Sequence, residues 1–345
     1  MTPSSCMQRL AATALLGLSV GGAMAAPGTF NVFSDLPMFG IYVSTPPAYT
    51  PPPGVVMQRN GTRFVTQLTS AQRALIGSDL KARVTYHAQC DNYDRLGAMF
   101  LIVKPVGVPL SDGDPITEVA RWITPFSNYW NGVKATYTFP DADLSAFAGL
   151  MRNPNLDVWV GIDGGSNPYT GDPCTNRDVT PEFRAVGFRY SLDLASTRGT
   201  PKLKSTAAMP VPFGDYTAVP VAGAARLAQA SAGTAVVIVS GHGAANGGDE
   251  YKHTNDTLTL NGNVVGSFST MVDCKRYRQY SPDGNPFIFL NNKTSNPRNW
   301  CPGALVAARA FKVSLLPENT VSLGMGDARV PEGSYYRTSI TLLPH

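Results

Sequence analysis

The first residues whose types and spacing could do chemistry are Cys90-Asp-Asn-Tyr-Asp94-Arg95, a polar segment between two apolar, alternating runs. A carboxylate beside an arginine, at the end of a strand and next to a cysteine, suits acid–base chemistry or the binding of a polar ligand. Two simpler interpretations compete. The segment could be a capped turn, or a calcium loop, since Asp91, Asn92 and Asp94 all carry oxygen donors.

A second candidate is the glycine-rich segment from Ser240 to Tyr251, Ser-Gly-His-Gly-Ala-Ala-Asn-Gly-Gly-Asp-Glu-Tyr. Glycine at this density permits irregular backbone, and the segment carries two carboxylates and an aromatic ring. A phosphate-binding loop is a poor interpretation, because no helix or lysine follows in the required arrangement. A solvated glycine loop remains the simpler alternative.

The third candidate is Asn296-Pro-Arg298-Asn-Trp300-Cys301-Pro-Gly303, which places an arginine and a tryptophan beside a cysteine. An indole held by a crosslink offers a rigid face on which the apolar C–H side of a sugar can stack. Taken alone, the segment equally predicts a core tryptophan that covers a disulfide.

These segments must be positioned by strands, because the chain combines 33 glycines and 28 prolines with few charged residues (15%). Such a composition, with many Thr, Val and Tyr residues, favours short strands and turns. We therefore predict an all-β chain of two jelly-roll β-sandwiches packed side by side. The clearest helix candidate is Asp141–Met151, with Asp141 as its N-cap. The predicted strands include 81–88, 97–103, 156–162, 188–194, 235–240, 257–261, 311–316, 320–323 and 335–343, with a hairpin turn at Asn261-Gly262-Asn263.

The N-terminus predicts export. Arg9 precedes the apolar run from Leu10 to Val20, and Ala23-Met-Ala25 provides a small-residue cleavage site, so residues 1–25 are interpreted as a signal peptide. The mature protein is expected to be secreted or periplasmic, with no membrane association after cleavage. The predicted domains are 26–199 and 200–345, divided near Gly199-Thr-Pro201. The net charge of +4 contains no basic run, so nucleic acid is not an expected partner.

Cleavage after residue 25 leaves four cysteines, an even set in an oxidising compartment. Three pairings are possible. Sequence order and the predicted domains favour Cys90–Cys174 and Cys274–Cys301. A zinc site is the competing interpretation, but the chain has no C-x-x-C pair.

The three segments together closely resemble the peptide-N-glycosidase F family. In that family, C-D-E-W-D-R, a glycine-rich loop that ends in C-A-E-W-C, and R-A-G-W-C-P-G follow one another. The matching segments here are Cys90–Arg95, Gly248–Lys252 and Arg298–Gly303. Arg121-Trp-Ile-Thr-Pro125 and Gly199-Thr-Pro201 resemble two further family segments, so the similarity extends from about residue 81 to 305.

The resemblance implies an amidase that releases N-linked glycans from asparagine, acts on glycoproteins or glycopeptides, needs no metal or cofactor, and is expected to be a monomer. The catalytic carboxylates fall on Asp94 and Glu250. The resemblance also implies substrate-binding roles for Arg95, Asp91, Asp163, His242, Tyr251, Arg298 and Trp300.

Several positions depart from the family pattern. A third acid of the family falls on Gly161, and Asp163 lies two residues along the same strand face, roughly 7 Å away. His242 replaces a tryptophan. Gly248 and Lys252 replace two cysteines, so the second loop is expected to be looser.

The departures keep other functions open. A non-catalytic, lectin-like glycan-binding protein is the main alternative. A copper monooxygenase is disfavoured because the four histidines form no H-x-H pair, and a serine hydrolase because no G-x-S-x-G elbow is present.

Overall fold

The structure is a computed structural model, and it describes residues 27–41, 48–167, 173–201, 205–243, 249–284, 286–289 and 297–345. The predicted signal peptide at residues 1–25 lies outside the described residues. Within the described ranges, no helix combines the length and the apolar composition that a membrane crossing requires.

In the residues that the structure describes, the first half of the chain forms ten strands in two antiparallel sheets. One sheet has the order β1-β10-β4-β7, with β8 beside β4, and the other contains β2-β3-β9-β5-β6. The strands are β1 (Thr29–Phe39), β2 (Val55–Gln58), β3 (Arg63–Gln67), β4 (Lys81–Ala88), β5 (Leu96–Pro105), β6 (Thr117–Ile123), β7 (Thr136–Thr138), β8 (Ala142–Asp143), β9 (Leu156–Asp163) and β10 (Val186–Ala195).

The second half forms two four-stranded sheets, β11-β19-β13-β17 and β12-β18-β14-β15. The strands are β11 (Met209–Tyr216), β12 (Val221–Arg226), β13 (Ser231–His242), β14 (Asn255–Leu260), β15 (Asn263–Ser269), β16 (Leu305–Val306), β17 (Arg309–Leu315), β18 (Glu318–Met325) and β19 (Tyr335–Pro344). Each half repeats the strand order of a jelly roll. The predicted all-β fold of two jelly rolls is confirmed, while the boundary at residue 199 stays a prediction.

The helices in the described residues are short. The α-helices are Ser70–Ala74, Ala148–Met151, Pro181–Arg184 and Pro286–Phe289, and the 3-10 helices are Arg59–Gly61, Tyr129–Ala135, Ser145–Phe147, Asp249–Tyr251 and Cys274–Tyr280. The prediction of one helix over Asp141–Met151 is wrong in its first half. Asp141 forms an ion pair with Arg83, and Ala142–Asp143 pairs with β4 instead.

Strand alternation explains the two cores. In β4, alternate residues from Ala82 onward are buried, as a one-sided strand requires. The hairpin between β14 and β15 turns at Asn261 and Gly262, whose φ angles of 53° and 78° fit the predicted turn. Both predicted disulfides, Cys90–Cys174 and Cys274–Cys301, are present.

The two sandwiches pack through β6 and β13, which are buried on both faces. Alternate residues of β13 serve different cores: Val237 lies in the second core and Val236 in the first. Ile238 packs with Ile123 and Trp300 between them. The short strand β16 crosses over and pairs with β6. This junction brings loops of both halves close together.

A buried ion pair crosses the junction. Arg121 binds Glu118 in a bidentate fashion at 2.6 and 2.8 Å, and also donates to Ser240 Oγ at 2.8 Å and to the Arg337 carbonyl at 2.7 Å. The Arg121 side chain is fully buried and the Glu118 side chain is 3% exposed.

We expect Arg121→Ala to lower the free energy of unfolding by about 3–5 kcal/mol, because Glu118 becomes an unpaired buried charge. Arg226→Ala is the control, since the Arg226–Glu318 pair is 86% and 78% exposed and contributes little. Urea denaturation measures both variants. Equal free energies of unfolding for Arg121→Ala and Arg226→Ala would show that the buried ion pair does not stabilise the junction.

Candidate active site

Asp94 lies at the end of the loop between β4 and β5, and buried polar contacts fix that loop. The Asp91 carboxylate accepts hydrogen bonds from the backbone N–H groups of Tyr93 at 3.0 Å and Asn167 at 2.6 Å. It also binds Arg95 Nε at 2.7 Å. Asp91 is therefore a turn-forming residue that orients Arg95, and its direct contact with substrate stays a prediction.

The Asp94 carboxyl lies deep among protein atoms although its residue keeps partial exposure. Burial raises the pKa of Asp94 to about 8, and the negative charge of Glu250 adds to the rise. The positive charges of Arg298 and Arg95 lower the pKa of Asp94 and so oppose this rise. Since Glu250 and Arg298 come from the second half of the chain, the structure brings charged residues of both halves close together.

Glu250 lies in the 3-10 helix Asp249–Tyr251, and both of its carboxylate oxygens are held. One accepts a hydrogen bond from Arg298 Nη2 at 3.2 Å, and the other accepts one from the Gly243 backbone N–H at 3.0 Å. The Glu250 side chain remains 21% exposed. A carboxylate fixed at both oxygens and still open to solvent can orient a polar ligand.

Arg298 is a buried cation close to both Glu250 and Asp94. Its guanidinium is fully buried between the rings of Trp300, at 4.1 Å, and Tyr251, at 4.9 Å. Burial lowers the pKa of Arg298, and the charges of Glu250 and Asp94 oppose that effect. Nε and Nη1 have no hydrogen-bond partner among the described residues. Buried donors without partners are costly, so an oxygen that reached these two would be bound strongly.

Trp300 supports Arg298 rather than offering an open face. The indole is 3% exposed, and its N–H donates to the Gly241 carbonyl at 2.7 Å. His242 stacks against Trp300 at 5.6 Å and against Tyr335 at 5.1 Å. Burial, followed by the charges of three arginines, lowers the pKa of His242 well below its usual range, so the ring is neutral. Direct sugar contacts of Trp300 and His242 stay predictions.

Asp163 faces an interdomain cavity of about 340 Å³ that is also lined by Leu96, close to Asp94 in sequence. Its carboxylate is paired with Arg63, 2.5 Å away and 4% exposed. A Cβ at Gly161 would lie 2.1 Å from the Phe100 ring. An acid at position 161 therefore requires Phe100 to move, and Asp163 is a paired acid of the cavity wall.

Two residues of the site were not singled out by the sequence pattern. Tyr93 is 47% exposed beside Asp94, and the Arg95 guanidinium lies 5.0 Å above its ring. The matching family position holds tryptophan, which is the signal that could have identified it. Asn299 is 3% exposed and hydrogen-bonds the backbone around Glu250. No feature of the sequence distinguishes Asn299 from an ordinary loop asparagine.

The described residues contain no group of three or more His, Cys, Asp or Glu side chains able to hold a metal ion.

Comparison with known proteins gives a family match for the C-terminal part of the chain and a fold match for most of it. Residues 224–339 match the family model described as "Peptide-N-glycosidase F, C terminal". No curated protein matches the sequence. The chain resembles the solved structure of PNGF-II with a TM-score of 0.66 at 19% identity, covering 92% of this chain and 65% of that one. It thus spans slightly less than two thirds of PNGF-II.

Recombinant peptide:N-glycanase F (PNGase F) is similar with a TM-score of 0.57 at 14% identity, covering 92% of this chain and 94% of that chain. These likenesses concern the fold. Residues 224–339 therefore match the C-terminal model of the peptide-N-glycosidase F family, and the fold of the chain is similar to that of PNGase F and PNGF-II.

Proposed function

We propose that the protein hydrolyses the amide bond between asparagine and the innermost N-acetylglucosamine of N-linked glycans. The products are an aspartate-containing peptide and a glycosylamine. The observation that carries the proposal is the proximity of two carboxylates from different halves of the chain. Asp94 and Glu250 interact electrostatically beside a buried arginine with two donors that have no partner among the described residues. The similar solved structures include one named peptide-N(4)-(N-acetyl-beta-D-glucosaminyl) asparagine amidase.

In this proposal Asp94 orients and deprotonates the attacking water. A general base works best when its pKa lies near the working pH, and the pKa of Asp94 is raised to about 8 by burial and by Glu250. Arg95, held by Asp91, limits how far the pKa of Asp94 is raised.

Glu250 and Arg298 bind the other parts of the substrate. Arg298 Nε and Nη1 donate to the amide oxygen, on which negative charge develops as water attacks. Glu250 holds a sugar hydroxyl or assists the departing nitrogen. Tyr251 and Trp300 enclose the guanidinium and keep its donors directed at one point.

The partners follow from the reaction. The substrates are N-linked glycoproteins or glycopeptides, and hydrolysis requires no metal or cofactor. Export through the predicted signal peptide fits the two disulfides, which form in oxidising compartments. The monomeric state stays a prediction.

Incubation with an N-glycopeptide, followed by mass spectrometry of the peptide and the sugar, tests the proposal. We expect aspartate at the former glycosylation site and a free glycan. Tight binding of the glycopeptide with an unchanged peptide mass, from acidic to alkaline pH, would contradict an amidase.

That second outcome would favour a lectin-like function. One observation supports this alternative: position 161, where the family has an acid, is occupied by glycine under the Phe100 ring. A glycan-binding protein could keep the cleft and its donors without this acid. The two functions differ in whether the asparagine is converted.

A further inference from the structure

Asn299 makes an unusual number of contacts with the backbone around Glu250. Its side-chain nitrogen lies 2.9 Å from the Asp249 carbonyl, 3.2 Å from the Glu250 carbonyl and 2.9 Å from the Lys252 carbonyl. Its side-chain oxygen accepts a hydrogen bond from the Gly241 backbone N–H at 2.8 Å. One buried amide therefore joins the end of β13 to the short helix that carries a carboxylate of the site.

The segment has a second anchor on its other side. The fully buried Asp249 carboxylate accepts hydrogen bonds from the backbone N–H groups of Arg329, at 3.2 Å, and Val330, at 2.6 Å. Asp249 fixes the start of the segment, and Asn299 spans its whole length. Glu250 itself is held by Arg298, which directly precedes Asn299 in the chain. It is also held by Gly243, which lies two residues after Gly241, a contact of Asn299. Moving the segment would therefore break the contacts of Glu250 as well.

The sequence indicates what Asn299 replaces. The resemblance to the family aligns Gly248 and Lys252 with two cysteines that bracket the acidic residue, and this chain has neither. The same resemblance shows one residue fewer between Arg298 and Trp300 than in the family, with asparagine in the remaining position. Because the Asn299 amide reaches Lys252 on one side and Gly241 on the other, it can restrain this segment without a crosslink.

We propose that Asn299 is the positioning residue of Glu250, holding its segment by hydrogen bonds where the family pattern has a pair of cysteines. The catalytic consequence rests on the function proposed above. The positioning role does not rest on that function, because the Glu250 charge raises the pKa of Asp94 whether or not a substrate is converted.

The test compares Asn299→Ala with Asn319→Ala. Asn319 is a matched control: it is 1% exposed, lies in the same half of the chain, and holds a turn through hydrogen bonds with the Leu316 backbone and with Asn261. We expect Asn299→Ala to lower kcat about 10²-fold with a smaller change in KM, because the carboxylate loses its orientation. Asn319→Ala should lose stability and keep kcat.

A spectroscopic readout separates this inference from the proposed function. Displacement of Glu250 removes the negative charge that helps raise the pKa of Asp94, so the Asp94 carboxyl should titrate at lower pH in Asn299→Ala than in the wild type. NMR detects that titration without any turnover. If the wild type releases no glycan, the proposed function fails while the titration still decides the role of Asn299.

Rescue provides the last arm. Gly248→Cys with Lys252→Cys in the Asn299→Ala background reintroduces the crosslink of the family pattern. We expect the oxidised variant to regain kcat and the high Asp94 titration, and to lose both on reduction. A variant that folds and forms the disulfide, yet titrates and reacts like Asn299→Ala, would overturn the proposal. So would equal losses of kcat in Asn299→Ala and Asn319→Ala.

Discussion

Asp94→Asn is expected to lower kcat for glycan release by about 10³-fold or more while leaving glycopeptide binding nearly unchanged. The asparagine side chain keeps the shape and can still orient a water molecule. It cannot accept a proton, which is the step that general-base catalysis contributes, typically 10²–10⁴-fold. Single-turnover kinetics and a binding titration of the same protein separate the two effects.

Asp163→Asn is the comparison that identifies which acid does the chemistry. Asp163 is paired with Arg63 at 2.5 Å and does not contribute to the pKa shift of Asp94, so its loss should reduce stability more than kcat. Equal loss of kcat in the two variants would mean that Asp163 has taken over the role of the acid missing at Gly161. Unchanged kcat in Asp94→Asn would rule out Asp94 as the base.

Much of the fold could be predicted because jelly-roll strands are mostly one-sided. β4 and β18 bury every second residue, and this alternation is visible in the sequence. The hairpin at Asn261-Gly262 was predictable for the same local reason. The predicted helix at Asp141–Met151 failed because its first residues find partners in β4, which is a tertiary effect. Propensity alone cannot anticipate such partners.

The sequence predicted candidate residues for the site, and their roles stay predictions. Asp94 and Glu250 were predicted from their order among neighbouring residues, and the structure brings them close enough to interact electrostatically. The sequence could not show that Trp300 would be covered by Arg298 and His242, because that depends on how β13 packs against the loop. The rule that residues two apart share a strand face placed Asp163 correctly, but its partner Arg63 comes from β3.

The expected looseness of the second loop also depends on tertiary contacts. Residues 244–248 lie outside the described residues, so that part of the prediction stays open. The part that carries Glu250 is restrained by Asn299 and Asp249. These contacts join segments about 50 and 80 residues apart, and no local pattern encodes them.

In Glu250→Gln, the rise of kcat/KM with pH is expected to occur at lower pH than in the wild type. In the wild type, burial and then the Glu250 charge raise the pKa of Asp94 to about 8, so the reactive carboxylate form accumulates only as the pH approaches and passes that value. Glutamine keeps the size of the side chain and removes its charge. The pKa of Asp94 then falls but stays above its ordinary value of 3.8, because burial, the largest cause, remains.

The measurement is kcat/KM against pH for the wild type and Glu250→Gln, since this parameter reports ionisations of the free enzyme. The rate of Glu250→Gln should be lower throughout, and its rising limb should lie at lower pH. If the rising limb lies at the same pH in both proteins, it does not reflect the ionisation of an Asp94 carboxyl whose pKa is raised by Glu250.

The same ionisation affects stability, which gives a check without turnover. Folding raises the pKa of Asp94 from 3.8 to about 8, so the folded protein holds a proton that the unfolded chain releases. This contribution to stability is complete below about pH 4 and is lost as the pH rises towards 8. Urea denaturation at intervals across this range should show a decline in the wild type that is smaller in Glu250→Gln and absent in Asp94→Asn. An equal decline in all three proteins would assign it to other groups and remove the physical basis for Asp94 as a base of raised pKa.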